Sequence, residues 1–235
     1  TNGLGTSLRS AESTSTIPTH TPRLLTSQSL VSGQSSAVAY SADGRYAIWG
    51  TQTAPAQVVK YDLETKSVVE TLTLDSASTA IRDASASETE AFFFYAGGYV
   101  AIDIEGMYVT KSGAWSSRNT SAVVDPTGTY IYAAANWNAY DTRTWVRKFD
   151  AATGALVSEL VAYNFEEGEL LDLLLDSSTL YVTSQRNSNL NLLKVDANTM
   201  TTVGSSLRIY EGKTGYNYGS VNHELLADGV TSMLT

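Results

Sequence analysis

The residues best suited to molecular contact gather in one stretch, Asn136-Trp137-Asn138-Ala139-Tyr140-Asp141-Thr142-Arg143-Thr144-Trp145. Trp137, Tyr140 and Trp145 supply flat apolar faces, while Arg143 and the neighbouring Asn and Asp side chains supply directional hydrogen bonds. That mixture is the composition of carbohydrate- and protein-contact surfaces. Tyr216 and Tyr218, on either side of Asn217, form a second patch of the same kind, and Trp115 with Arg118 a third. Large aromatics have a competing use, filling the space between packed sheets, so these candidates divide between contact and packing.

Catalytic chemistry finds little support. No Gly-x-Ser-x-Gly is present, so there is no nucleophile elbow. Gly212-Lys213-Thr214 resembles the end of a phosphate-binding loop, but Leu207 stands where its first glycine is needed. His223-Glu224 opens a zincin-like pattern that Ala227 breaks. With two His and no Cys, thiolate metal sites, cysteine nucleophiles, disulfide scaffolds and multi-histidine centres are excluded. Glu166, Glu167, Glu169 and Asp172 offer oxygens to a hard cation, but their spacing matches no defined calcium loop, and a solvated acidic connection accounts for them. The expectation is no catalytic residue, no metal site and no cofactor.

Composition bounds the partners and the compartment. A net charge of -9 opposes a nucleic-acid surface, and no stretch approaches the ~20 apolar residues that span a bilayer. Ser and Thr make up about a quarter of the chain, Lys is scarcer than Arg, and Asn119-Thr120-Ser121 is a glycosylation sequon. The start carries neither Met nor a signal pattern and reads as a mature or trimmed terminus. A secreted or cell-surface protein is the expectation, with Asn119 as its glycosylation candidate.

The elements that must position these residues recur. Val58-Val59-Lys60-Tyr61-Asp62-Leu63-Glu64-Thr65, Val146-Arg147-Lys148-Phe149-Asp150-Ala151-Ala152-Thr153 and Leu192-Leu193-Lys194-Val195-Asp196-Ala197-Asn198-Thr199 are each a strand running into Asp-x-x-Thr, with a second strand after it. Val100-Ala101-Ile102-Asp103-Ile104-Glu105-Gly106 is a degenerate copy, so the aspartates at 62, 103, 150 and 196 lie 41, 47 and 46 residues apart. Such an Asp closes an Asx turn by accepting amides two and three residues on, and the glycines Gly106 and Gly154 tolerate positive φ; these aspartates read as structural. About twenty residues before each lies a second strand-turn-strand marker, as in Ala39-Tyr40-Ser41-Ala42-Asp43-Gly44-Arg45-Tyr46 and Val123-Val124-Asp125-Pro126-Thr127-Gly128-Thr129-Tyr130. Joined, the two markers predict four antiparallel strands every ~45 residues, the signature of a propeller blade.

Lys148-Phe149-Asp150-Ala151-Ala152-Thr153-Gly154-Ala155-Leu156-Val157 and the Asp-Pro-Thr-Gly turn at 125–128 resemble the extracellular YVTN-type and quinoprotein-type β-propeller repeats. The resemblance covers 36–235 and is specific for the fold rather than for an activity. The expected architecture is an all-β propeller over 22–235, with blades at about 36–75, 79–113, 121–162 and 170–207, a partial blade at 221–235, and a polar arm at 1–21. Either the units belong to a ring of six to eight blades, favoured because the chain stops within a blade, or both ends share a fifth blade. The expected role is a non-catalytic surface module that binds a protein or glycan through Trp137, Tyr140, Arg143, Trp145, Tyr216 and Tyr218 on the loops, with a homo-oligomer or a larger assembly as its further partners. A propeller enzyme of the lactonase or quinoprotein dehydrogenase type is the alternative that the resemblance implies, and calcium-dependent lactone hydrolysis would reveal it.

Overall fold

The structure, a computed structural model, describes residues 35–75, 81–95, 97–115, 121–136, 143–163, 169–186, 189–211, 223–225 and 231–233. All regular structure among them is strand. The first sheet holds β1 (Ser35–Tyr40), β2 (Tyr46–Thr51), β3 (Gln57–Asp62) and β4 (Ser67–Thr73). The second holds β5 (Asp83–Ala86), β6 (Glu90–Tyr95), β7 (Gly98–Asp103) and β8 (Val109–Ala114), and the third β9 (Ser121–Val124), β10 (Tyr130–Asn136), β11 (Arg143–Asp150) and β12 (Leu156–Tyr163). In the fourth, β13 (Glu169–Asp176), β14 (Thr179–Arg186) and β15 (Asn189–Asp196) are followed by β16 (Thr201–Thr202) and β17 (Leu207–Glu211). A last antiparallel pair is β18 (His223–Leu225) with β19 (Thr231–Met233). Strands pair in chain order and antiparallel throughout the first three sheets.

The fourth sheet departs from the sequence expectation of one outer strand. β16 has only two residues, and β17 resumes pairing with β15 farther along. Gly204 lies between them at φ +72°, a conformation that turns the chain out of the ladder before it returns.

The hairpin turns form by local hydrogen bonding. The Asp62 carboxylate accepts the amides of Glu64 and Thr65, both at 2.8 Å. Asp150 accepts those of Ala152 and Thr153, at 3.0 and 2.8 Å, and Asp196 those of Asn198 and Thr199, at 2.9 and 2.8 Å. These bonds favour the ionised form and hold all three carboxyls below their ordinary range; the Thr65 amide leads for Asp62, the Thr153 hydroxyl for Asp150 and the Thr199 amide for Asp196. Four residues after each Asp the chain takes positive φ: Lys66 at 56°, Met107 at 50°, Gly154 at 71° and Met200 at 53°. In the second turn that role thus falls on Met107 and not on Gly106. At Gly106 a Cβ would stand 2.7 Å from the Tyr108 ring, so this glycine makes room instead. Lys66 is exposed and carries the strain of this conformation unaided. Lys66→Gly is expected to raise stability by about 0.5–1 kcal/mol in urea unfolding, relief of strain outweighing the added chain entropy.

The first strands of successive sheets stand side by side: β5 between β1 and β9, β13 beside β9, and β18 beside β13. Sheet packs on sheet through alternating side chains. In β6, Phe93 faces the first sheet and joins Ile48, Val58, Ile81 and Ile102, whereas Phe92 and Phe94 face the third and join Tyr99, Ile131 and Phe149. Between the third and fourth sheets lie Tyr132, Val146, Leu180, Val182 and Leu193. Each fully buried aromatic or branched side chain contributes about 1.5–3 kcal/mol, so three such interfaces supply the main cohesion.

Each interface also carries a polar latch at the turn between third and fourth strands. Lys60 Nζ donates to the Glu105 carbonyl (3.1 Å) and sits 4.2 Å from the Tyr46 ring centre. Lys148 Nζ donates to the Ala197 carbonyl (3.2 Å), 4.0 Å from the Tyr130 ring. Between the second and third sheets the Tyr99 hydroxyl donates to the Ala151 carbonyl at 2.8 Å. In all three a buried donor from the third strand of one sheet meets the turn between the third and fourth strands of the next. Carbonyl and ring together compensate a buried ammonium for its lost water.

Candidate functional site

Strand order divides the molecule into two ends. The turns joining first to second and third to fourth strands lie at one end, the turn face; the remaining connections lie at the other, the loop face. The inner strands begin at the loop face with Asp83 and Ser121, and Asp172 stands close behind the start of β13. Asp83 Oδ2 accepts the Ser121 hydroxyl and the Ala122 amide, both at 2.9 Å, and Ser85 Oγ accepts the Val124 amide at 3.2 Å. These bonds tie β5 to β9. Burial raises the Asp83 carboxyl to about 6; its bonds to Ala122 and Ser121 pull the other way, and repulsion from Asp172 adds a little. The group can therefore exchange a proton in mildly acidic solution, but Oδ2 is occupied by the neighbouring strand and Oδ1 by the Ala84 amide of its own. Among the described residues no group of three or more His, Cys, Asp or Glu is arranged to hold a metal ion.

At the turn face a groove of about 440 Å³ opens between the first and second sheets. Asp43, Glu88, Asp103 and Glu105 stand around it, with Tyr46 and Lys60 on its wall. Asp43 is held below its ordinary range, chiefly by the Ser41 hydroxyl and then by the Arg45 amide. The lining is thus acidic around one committed lysine. On the same face the outer strands begin with exposed apolar residues: Val68–Val69 of β4, Leu156–Val157 of β12 and Val203 after β16 at matching positions, and Tyr108–Val109 at the start of β8 shifted one residue earlier. They form an apolar rim repeated sheet by sheet.

The aromatic candidates are distributed differently. Trp145 lies within β11, opposite Ala135, and is only 8 % exposed, with the Arg147 guanidinium 5.8 Å from its ring. Arg147 in turn pairs with Glu159 at 2.6 Å. Arg143 opens the same strand, its backbone paired with Tyr163. Trp115, also 8 % exposed, is packed against Phe94, Tyr99 and Phe149, with ring centres 6.0, 5.5 and 5.4 Å away. Both tryptophans serve packing, the competing use of aromatics. Trp137, Tyr140, Tyr216, Tyr218 and Asn119 lie outside the described residues, as do Glu166, Glu167 and the Gly212-Lys213-Thr214 segment. Asp83, the turn-face groove and the apolar rim were not singled out from the sequence. The rim had a signal, two adjacent apolar residues six and seven positions after Asp62 and Asp150 and five and six after Asp103; Asp83 had none until β9 was placed beside it.

No protein-family model and no curated protein sequence matches the chain. Solved structures do resemble it. The chain is similar to Kuenenia stuttgartiensis hydrazine synthase, with TM-score 0.64 and 15 % identity over 83 % of this chain and 60 % of that one. It is similar too to the β-propeller domain of Myceliophteria thermophila Cps50 (Swd1), with TM-score 0.61 and 17 % identity over 85 % of this chain and 61 % of that one. The chain thus spans about 60 % of the length of these neighbours. Antiparallel four-stranded sheets, stacked with their first strands together and matching a solved propeller domain, give the chain the β-propeller fold.

Proposed function

We propose that the chain is a non-catalytic interaction module, working outside the cell or on its surface, that binds a protein partner through the turn face of the propeller. The repeated apolar rim carries this reading. Exposed apolar residues at the start of successive outer strands make a surface that gains by being covered. The acidic groove beside the start of β8 adds a preference for a partner with basic side chains. The extracellular setting is supported by the Ser- and Thr-rich, cysteine-free composition and by the resemblance to extracellular propeller repeats. Glycan binding by Trp137, Tyr140, Tyr216 and Tyr218 is the competing reading.

An array of peptides alternating basic and apolar residues, run beside a glycan array, separates the two. The expected result is peptide binding that weakens at least tenfold in the double variant Leu156→Ser, Val157→Ser, with the thermal midpoint within two degrees of the parent. Glycan binding abolished by Trp137→Ala would move the contact surface to the loop face. Binding to neither array would contradict the module reading.

A further inference from the structure

Two successive seams between sheets are filled differently at the loop end. Trp145, five residues before the turn aspartate Asp150 and opposite Ala135, lies on the face of β11 turned to the second sheet. Phe94, Tyr99 and Trp115 build the aromatic packing of that seam. In the fourth sheet the same position, five residues before Asp196, holds Asn191, and the residue opposite it is Ser184. Val182 and Leu193, two residues away on β14 and β15, pack on the third sheet, so strand alternation turns Ser184 and Asn191 to that sheet as well. The wall they meet, from β10, β11 and β12, has Ala134, Thr144 and Ala162 at its loop end, all buried. Small side chains thus stand on both sides of this seam where the neighbouring one is packed with large rings.

Two of these small side chains are buried polar groups left unsatisfied. Ser184 is 0 % and Asn191 6 % exposed, and neither Ser184 Oγ nor Asn191 Nδ2 has a hydrogen-bond partner among the described residues. Such groups destabilise a fold unless something meets them. The two are direct cross-strand neighbours, an amide donor beside a hydroxyl that both donates and accepts, yet they do not bond to each other. One oxygen that accepts from the amide and exchanges a hydrogen bond with the hydroxyl answers both. An anionic oxygen would bring its charge against Ala134, Thr144 and Ala162, none of which carries a counter-charge, so a neutral O–H is the group that fits.

We infer that Ser184 and Asn191 form a binding site for a neutral O–H group, which bridges the two side chains at the loop end of the seam between the third and fourth sheets. Water and a hydroxyl of a polyol or sugar share this chemistry, and two polar partners are enough to hold either. The site is independent of the proposed protein contact, which lies at the turn face.

The side-chain amide of Asn191 reads the site by NMR in the full chain, assigned by its loss in Asn191→Leu or, if that variant does not fold, in Asn191→Asp. The expected result is either a through-space cross peak from this amide to a long-lived water, or a saturable shift of the amide on titration with glycerol or glucose. A water cross peak that neither polyol alters assigns the O–H to water. A saturable shift that weakens at least tenfold in Ser184→Ala assigns it to a ligand hydroxyl. Absence of both signals would overturn the inference, and so would a saturable shift with acetate but with neither polyol. Thermal unfolding gives a second reading. A bridged hydroxyl makes Ser184→Ala lower the midpoint by about 2–4 °C, whereas an unchanged or raised midpoint means that nothing meets the hydroxyl and contradicts the site.

Discussion

Trp115→Ala is expected to lower the unfolding free energy by about 3–5 kcal/mol in urea titration, the range for removing a buried large aromatic. The ring sits at the loop end of the second interface and touches aromatics of both sheets: Phe94 and Tyr99 from the second, Phe149 from the third. Its loss empties a hole that rigid strands fill poorly. Trp115 Nε1 is buried with no hydrogen-bond partner among the described residues. Trp115→Phe therefore removes a costly unsatisfied donor while keeping most of the apolar contact, and its expected cost is below about 1.5 kcal/mol. A large loss for Ala with a small one for Phe identifies a packing residue. A binding defect in either variant at unchanged stability would return Trp115 to the contact surface.

Asp83→Asn is expected to reshape the dependence of stability on pH. An acid whose folded value is about 6 binds its proton more tightly folded than unfolded, where the value is 3.8. Its protonated form thus stabilises the fold in acid, and stability falls as pH rises from about 4 to about 6, then stays level. The full difference corresponds to at most about 3 kcal/mol, less in proportion as solvent reaches the carboxyl. The lowered turn aspartates act oppositely, their contribution being present above about 4 and lost as pH falls below it. The parent chain should therefore be most stable near pH 4–5. Asparagine keeps an oxygen for the Ser121 hydroxyl and the Ala122 amide but cannot ionise, so the variant should show little change from pH 4 to 7.5 and exceed the parent at the upper end. Denaturant midpoints at four pH values check this. A variant that keeps the parental slope would move its origin to another group.

What was legible in the sequence was local. The turns at Asp62, Asp150 and Asp196 close on amides two and three residues away, so spacing alone exposes them, and with them the four-strand period. Trp145 was harder because it stands beside a polar loop. The deciding signal is alternation along β11: Trp145, Arg147 and Phe149 share one face, and Trp145 and Arg147 lie opposite Ala135 and Ala133 on β10, small residues that leave room for a large ring. Asp83 was illegible for a physical reason. Its neighbours in the chain form a four-residue strand of ordinary composition, and its character comes from β9, 38 residues away. The place of positive φ at Met107 rather than Gly106 is local too, four residues after the turn aspartate as at Lys66, Gly154 and Met200.

Hydrogen exchange of the intact chain, resolved by peptide, addresses the radial order of the strands directly. In the stacked arrangement β1, β5 and β9 are walled in by one another, whereas β4, β8 and β12 present one unpaired backbone edge to water. Slow exchange in the first strand of each sheet and fast exchange along the rim from Leu156 to Tyr163, repeated at its counterparts, is the predicted pattern. Equal protection of inner and outer strands would contradict the radial stack and, with it, the exposed rim on which the binding role stands.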